Sequence, residues 1–267
     1  MSRAQPLDGR GAVITGGGRG IGAAIARRLS AAGAAVVVCA RTEAEIEAVA
    51  DELRERGGRA RAIPCDVTHP DRVDALAREA IGWLGEAGLA ADILVNNAGG
   101  TSSAPITSLS VEEWDDMIAV NATSTFLCTR ALLDGMMERG WGRVVNVASV
   151  AAVSGARYIA AYAAAKHAVL GFTRCAAAEA AAHGVTVNAV CPGYADTPMT
   201  EKTIERIAEK TGRSREQALE SILSIAGPQR RLIEPDEVAH AVLSLVAAEA
   251  HGINGQAIVI DGGGLLS

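Results

Sequence analysis

The chain is poor in aromatic residues: three Trp, three Tyr and two Phe make up 3% of its 267 positions. Any core must therefore be aliphatic, built from Ala, Val, Leu and Ile. Cysteine is sparse as well. Cys39, Cys65, Cys128, Cys175 and Cys191 are odd in number, widely spaced and without a C-x-x-C pair. That pattern excludes a disulfide framework and points to a reducing compartment, with the thiols expected as small buried hydrophobes. No apolar run approaches the roughly 20 residues that span a bilayer. The polar stretch Met1–Arg10 lacks the apolar centre of a secretory signal. A soluble, cytoplasmic protein is expected. Positive charge is not in excess either: 25 Lys and Arg against 31 Asp and Glu leave a net charge of −6. A surface built to grip nucleic acid or anionic membrane is not expected. His69, His183, His240 and His251 show no metal-ligand spacing, so no metal is expected.

What is present is a foldable α/β pattern. Hydrophobic residues make up 49% and charged residues 21%, enough apolar content to exclude disorder. Short β-branched runs lie near Ala12–Thr15, Ala35–Ala40, Ala60–Cys65, Asp92–Asn96, Arg143–Ala148, Val185–Val190 and Gln256–Ile260. Helical spacing fills the gaps, at Gly20–Ala32, Glu43–Arg56, Asp71–Leu84, Val111–Glu138, Tyr158–His183 and Pro235–Ala247. This alternation predicts a Rossmann-like, doubly wound parallel sheet of seven strands with helices on both faces. No linker or repeat divides it, so residues 1–267 are expected to form one dinucleotide-binding and catalytic domain. Residues 197–232 carry no strand and form an insertion after the sixth strand, where ligands of open α/β sheets bind. A substrate lid is expected there, with Ile204, Ile207, Leu219, Ile222 and Leu223 as an apolar wall. In the same segment Glu201, Glu205 and Glu209 alternate with Lys202, Arg206 and Lys210. Two readings stay open: a salt-bridged surface helix, or cations that dock a phosphate-bearing carrier.

The first chemical signal is Thr15-Gly16-Gly17-Gly18-Arg19-Gly20-Ile21-Gly22, between the first strand and the first helix. Glycines there permit a tight turn and let backbone N–H groups approach a pyrophosphate at the positive end of a helix. A plain β–α connection can look the same, so context must decide. Tyr162 and Lys166 are four apart on a helix and share one face. A phenol of pKa near 10 is a poor catalyst at neutral pH. A nearby ammonium favours the phenolate, and lowering the value to about 7 requires roughly 4 kcal/mol of differential stabilisation. Ser149, at the end of the fifth strand, can hydrogen-bond a substrate oxygen. Alone, a Y-x-x-x-K is as well explained by a packed tyrosine and a solvated lysine.

The order of motifs narrows this. Asp66-Val67 follows the third strand, Asn96-Asn97-Ala98-Gly99 the fourth, Asn121 lies in the long helix, and Pro192-Gly193 ends the sixth strand. From about Leu7 to Gly263 the chain resembles the short-chain dehydrogenase/reductase family, in its short single-domain branch. That resemblance implies roles. Tyr162 exchanges the proton, Ser149 orients the carbonyl or alcohol, Lys166 also holds the nicotinamide ribose, and Asn121 holds a proton-relay water. The dinucleotide would lie on Gly16, Gly18, Arg19, Gly20, Ile21, Gly22, Arg41, Asp66, Val67, Asn97, Ala98, Gly99, Tyr162, Lys166, Pro192, Gly193, Ala195 and Thr197. NAD-selective folds place a carboxylate at the end of the second strand; here Ala40 and Arg41 stand there. A guanidinium suits a 2′-phosphate, so NADP(H) is expected over NAD(H), with Arg19 as a second contact. The alternative is that Arg41 merely starts the next helix in solvent. Glu43 and Glu45 are expected to face away.

Within the family the resemblance is to reductases of 3-oxoacyl thioesters and polyketide ketones, through Val38-Cys39-Ala40-Arg41, Lys166-His167 and Val187-Asn188-Ala189-Val190-Cys191-Pro192-Gly193. Hydroxyacyl, steroid and sugar-alcohol dehydrogenases remain alternatives, as does a catalytically silent nucleotide-sensing protein. The expected partner is a small-molecule carbonyl or alcohol, carrier-linked or free. The family's usual assembly implies a homotetramer or dimer, and the small side chains of Ala176–Ala182 would allow close approach.

Overall fold

The computed structural model describes residues 5–266. Seven strands, β1 (Gly11–Thr15), β2 (Ala35–Ala40), β3 (Ala60–Pro64), β4 (Ala91–Asn96), β5 (Gly142–Val147), β6 (Val185–Pro192) and β7 (Ala257–Ile260), form one sheet in the order β3-β2-β1-β4-β5-β6-β7. Every pairing is parallel. Helices α1 (Gly20–Ala31), α2 (Glu43–Glu55), α3 (Pro70–Glu86), α4 (Val111–Ile118), α5 (Ser124–Glu138), α6 (Ala160–Ala180), α7 (Pro198–Thr211), α8 (Arg215–Leu223) and α9 (Pro235–Val246) connect them.

Both faces of the central strands β1, β4, β5 and β6 are dry, which is why these strands read as unbroken apolar runs. The edge strands β3 and β7 are partly exposed. Successive side chains point to opposite faces. Ala12 and Ile14 pack with α1, α2 and α9, while Val13 between them packs with α3 and α5. The strand order reverses between β1 and β4, and a crevice opens there beyond the strands' C-terminal ends. No helix among the described residues is long and apolar enough to cross a membrane. Cys39, Cys65, Cys128 and Cys191 are buried thiols, whereas Cys175 is exposed on α6.

Three sequence expectations change in detail. The helix expected over Val111–Glu138 is two helices joined by a π-helical turn at Ala119–Thr123. The helix expected from Tyr158 begins at Ala160, because Tyr158 has φ +72°, outside any right-handed helix. The apolar residues of the insertion do not form a wall toward substrate. Ile204, Ala218 and Ile222 are buried against one another, with Ile207 and Leu219 beside them, as a small core between α7 and α8. Two short amphipathic helices can dry their apolar stripes only on each other here, so their polar faces turn outward. Ser214 and Gln217 start α8 with a reciprocal capping box. The base of the insertion is closed by the bridge Ala195–Ile233 and by hydrogen bonds from the Asp196 amide to Ile233 (2.9 Å) and the Ile233 amide to Tyr194 (2.8 Å).

Candidate active site

The crevice is a cleft of about 430 Å³, and all twenty residues singled out above as catalytic or dinucleotide-binding stand on its wall. At one end, β1 runs into the Gly-rich turn. Thr15 Oγ1 accepts hydrogen bonds from the amides of Asn97 (3.0 Å) and Ala98 (2.9 Å). Asn97 Nδ2 donates to the carbonyls of Thr15 (2.9 Å) and Gly16 (3.0 Å). The ends of β1 and β4 are thus stitched together at the switch point. Gly16 sits at φ +65°, and a β-carbon on Gly22 would strike the Gly16 carbonyl oxygen. Those two positions need glycine.

Helix α1 begins just beyond, and the side chain of its N-cap residue, Arg19, makes no capping hydrogen bond to the helix. The first N–H groups of the helix face the cleft at the positive end of the helix dipole, a donor set that fits a pyrophosphate. A dinucleotide therefore fits these residues. Arg41 is exposed at the end of β2. Burial pushes Asp66 upward, but two hydrogen bonds from Thr68 and the charge of Arg41 outweigh it and hold the carboxyl below its ordinary value. Glu45 does not face away as expected. It packs against Gly18 and forms an ion pair with Arg19 at 2.9 Å. Residues 43 and 45 lie about 200° apart around a helix, so turning Glu43 outward turns Glu45 in.

At the other end stand the four residues expected to be catalytic. Asn121 occupies the π turn. Its Nδ2 donates to the carbonyls of Gly100 (3.1 Å) and Met117 (3.0 Å), and its Oδ1 accepts from the Gly100 amide (3.3 Å). The carbonyls of Val120 and Asn121 in the widened turn accept from the hydroxyls of Ser124 (2.7 Å) and Thr125 (2.8 Å). Single π turns of this kind concentrate at functional sites. A β-carbon on Gly99 would lie 2.7 Å from Asn121 Oδ1 and 3.5 Å from Lys166 Nζ, so that glycine keeps the two polar groups accessible to each other.

Lys166 is buried, and its Nζ donates to the Val147 carbonyl at 2.9 Å. The same nitrogen lies 5.8 Å from the centre of the Tyr162 ring. Burial lowers the lysine pKa to about 8. Ser149 Oγ accepts from the Ala151 amide at 3.1 Å and also hydrogen-bonds the Tyr162 hydroxyl. The phenol is not lowered toward 7. Burial raises it, and the Ser149 hydrogen bond offsets this only in part. The reason is geometric: the lysine charge is directed at Val147. A phenol that keeps its proton is suited to giving it away.

The insertion contributes Thr197, Met199, Lys202, Thr203 and Arg206 to the wall. Of the groups that shape the site, sequence reasoning missed the stitching by Thr15, the Val147 carbonyl, and Met199 and Thr203. Thr15 had a signal, a hydroxyl residue at a strand end just before the glycines. A backbone carbonyl such as that of Val147 leaves none. Among the described residues, no group of three or more His, Cys, Asp or Glu is arranged to hold a metal.

Residues 10–208 match the family model described as short chain dehydrogenase. The chain is 38% identical over 257 residues to the 3-oxoacyl-(acyl-carrier-protein) reductase of Vibrio cholerae, covering 96% of this chain and 98% of that protein. It is 40% identical over 255 residues to the D-beta-hydroxybutyrate dehydrogenase of Rhizobium meliloti, covering 94% and 97%. Among solved structures, a variant of actinorhodin polyketide ketoreductase with NADPH superimposes with a TM-score of 0.91 at 38% identity, covering 98% of this chain and 99% of that one.

Proposed function

The chain belongs to the short-chain dehydrogenase family, and from that premise we propose that it reduces the ketone of a 3-oxoacyl thioester or polyketide-type substrate with NADPH. The observation that carries this reading is the convergence of Asn121, Ser149, Tyr162 and Lys166 on one cleft with the uncapped start of α1. When bound, the dinucleotide supplies a hydride to the carbonyl carbon. The chain's own groups do the rest. Ser149 donates a hydrogen bond to the substrate oxygen and holds it beside Tyr162, whose phenol gives that oxygen its proton as charge develops there. Lys166, anchored at Val147, steadies the resulting phenolate and would hold the nicotinamide ribose of a bound dinucleotide. Asn121, held by Gly100 and Met117, positions the water through which the tyrosine regains a proton.

NADP(H) is the proposed cofactor. Support comes from Arg41, which is exposed and has no ion pair among the described residues, and from the absence of a carboxylate at Ala40. Arg19 is a weaker contributor than the sequence suggested, because Glu45 already engages it. The compared ketoreductase structure contains NADPH. The five free thiols agree with a reducing, cytoplasmic setting. The decisive experiment follows NADPH or NADH absorbance at 340 nm with a panel of free and carrier-linked ketones, for wild type and Arg41→Ala. The expected result is reduction with a clear kcat/KM preference for NADPH that Arg41→Ala reduces. A preference for NADH, or one untouched by the substitution, removes Arg41 from the role. Turnover of no ketone at all overturns the activity. The similarity to a D-beta-hydroxybutyrate dehydrogenase favours a second reading, oxidation of a hydroxy acid, which the same assay run with NADP+ and NAD+ separates.

A further inference from the structure

Helix α7 divides its charges unevenly. Glu201 is committed to α8, where both its oxygens meet Arg215 at 2.7 Å. Lys202 and Arg206, four apart and so on one face of α7, stand on the cleft wall and have no ion pair among the described residues. The only hydrogen bond drawn from either side chain among those residues runs from Arg206 Nη1 to Ser103 Oγ at 3.5 Å, which puts the guanidinium against the segment that follows β4. The wall's two carboxylates, Glu45 and Asp66, are engaged elsewhere, with Arg19 and Thr68. Ile204, Ile207, Leu219 and Ile222 of the insertion are spent on their own small core, which leaves Met199 as an apolar contribution to the wall. Two cations thus stand on the wall of a cleft whose own side chains offer them no anion.

We propose that Lys202 and Arg206 form an anion-binding subsite for a carboxylate or phosphate carried by the ketone substrate. The proposal rests on the reductase reading and names its substrate class. Arg206 supplies a planar fork that matches either oxyanion, and Lys202 a mobile point charge beside it.

The test compares the full-length wild type with the double variant K202Q/R206Q, using NADPH. One arm pairs 3-oxobutanoate and 5-oxohexanoate with their methyl esters. The other pairs acetoacetyl-CoA with acetoacetyl-N-acetylcysteamine, which lacks phosphate. The expected result is a drop of roughly 10- to 100-fold in the charged-to-neutral ratio of kcat/KM, the size of a lost hydrogen bond to a charged group. A drop in the first arm identifies a carboxylate and in the second a phosphate, and R206K should recover part of it. An unchanged ratio in both arms overturns the proposal. So does an equal loss of NADPH affinity by fluorescence titration, which would assign the cations to the cofactor. Should the wild type reduce no ketone, the reductase reading fails on its own. Calorimetric titration of 3-hydroxybutyrate and of CoA into the protein with NADP+ then decides the subsite. Binding that the double variant loses upholds it; binding equal in both proteins, or absent in both, overturns it.

Discussion

At the scale of single residues, two side chains carry the sharpest expectations. Burial keeps the Tyr162 phenol protonated, so its removal takes away the proton donor while leaving a ring of nearly the same shape. Tyr162→Phe should lower kcat by at least about 100-fold, the low end of general acid–base contributions, with NADPH affinity retained. Near-normal turnover would assign the proton to another group. Lys166 carries a stability signature as well. Its folded pKa of about 8 lies below the ordinary 10.5. Between those values the unfolded chain still holds a proton that the folded chain has released. Wild-type stability should therefore rise with pH across that window, by on the order of 3 kcal/mol, and the cost of burying the charge returns as pH falls through 8. Lys166→Met should lose turnover and lack that rise. Urea unfolding of both proteins at pH 7 and pH 10 measures it. A wild type that gains nothing on the variant between the two would mean the ammonium is not desolvated. The Tyr162–Lys166 pair was legible in the sequence because a helix puts residues four apart on one face, and Asn121 and Ser149 were legible through the order of motifs on which the family resemblance rests. What holds Lys166 was not, since any carbonyl can accept its hydrogen bond.

At the scale of elements, the insertion behaves differently from the sheet. Its core of Ile204, Ala218 and Ile222 is small and separate from the two large clusters that sandwich the strands. Local opening should cost less there than in the sheet. Amide exchange in residues 197–232 should be faster than in β1, β4 and β5, and NADP+ should slow α7 more than α8, because only α7 reaches the cleft. Equal slowing of both helices would show that the pair closes as one lid. Sequence periodicity located this segment and its helices but aimed its apolar stripe at the substrate. Amphipathicity says that a stripe will be buried, not against what. The π turn at Asn121 was hidden for a related reason, since its extra residue is accommodated by hydroxyl contacts from Ser124 and Thr125 that a 3.6-residue period does not reveal.

At the scale of the whole molecule, exposed apolar side chains bear on assembly. Phe126 on α5 is 43% exposed, stacks edge-on against Phe172 of α6 at 6.1 Å, and has Arg130 above its ring. At the far edge of the sheet, Val259 of β7 is 41% exposed. The alanine segment at the end of α6 and just beyond it is only half available for contact: Ala176, Ala177 and Ala180 are already buried within the chain, while Ala178, Ala181 and Ala182 are exposed. Two separate apolar faces suit a dihedral tetramer, in which each interface pairs a patch with its own copy. Light scattering at micromolar concentration should give a tetramer for the wild type and a smaller species for Phe126→Glu. A wild-type monomer would count against the assembly altogether.

The sequence by itself determined the alternation of seven strands with helices, the Gly-rich turn, and the chain positions of Asn121, Ser149, Tyr162 and Lys166. The strands, the helices, the Gly-rich turn and the Tyr162–Lys166 pair depend on spacing within a few residues, which local periodicity records directly, and Asn121 and Ser149 are marked by the motif order that carries the family resemblance. Tertiary packing alone decided that Glu45 turns in to meet Arg19, that Lys166 is anchored by Val147, that the insertion dries its apolar face on itself, and that Lys202 and Arg206 are left facing the cleft. Those outcomes depend on which distant surfaces come together, and on which partner satisfies a charge first.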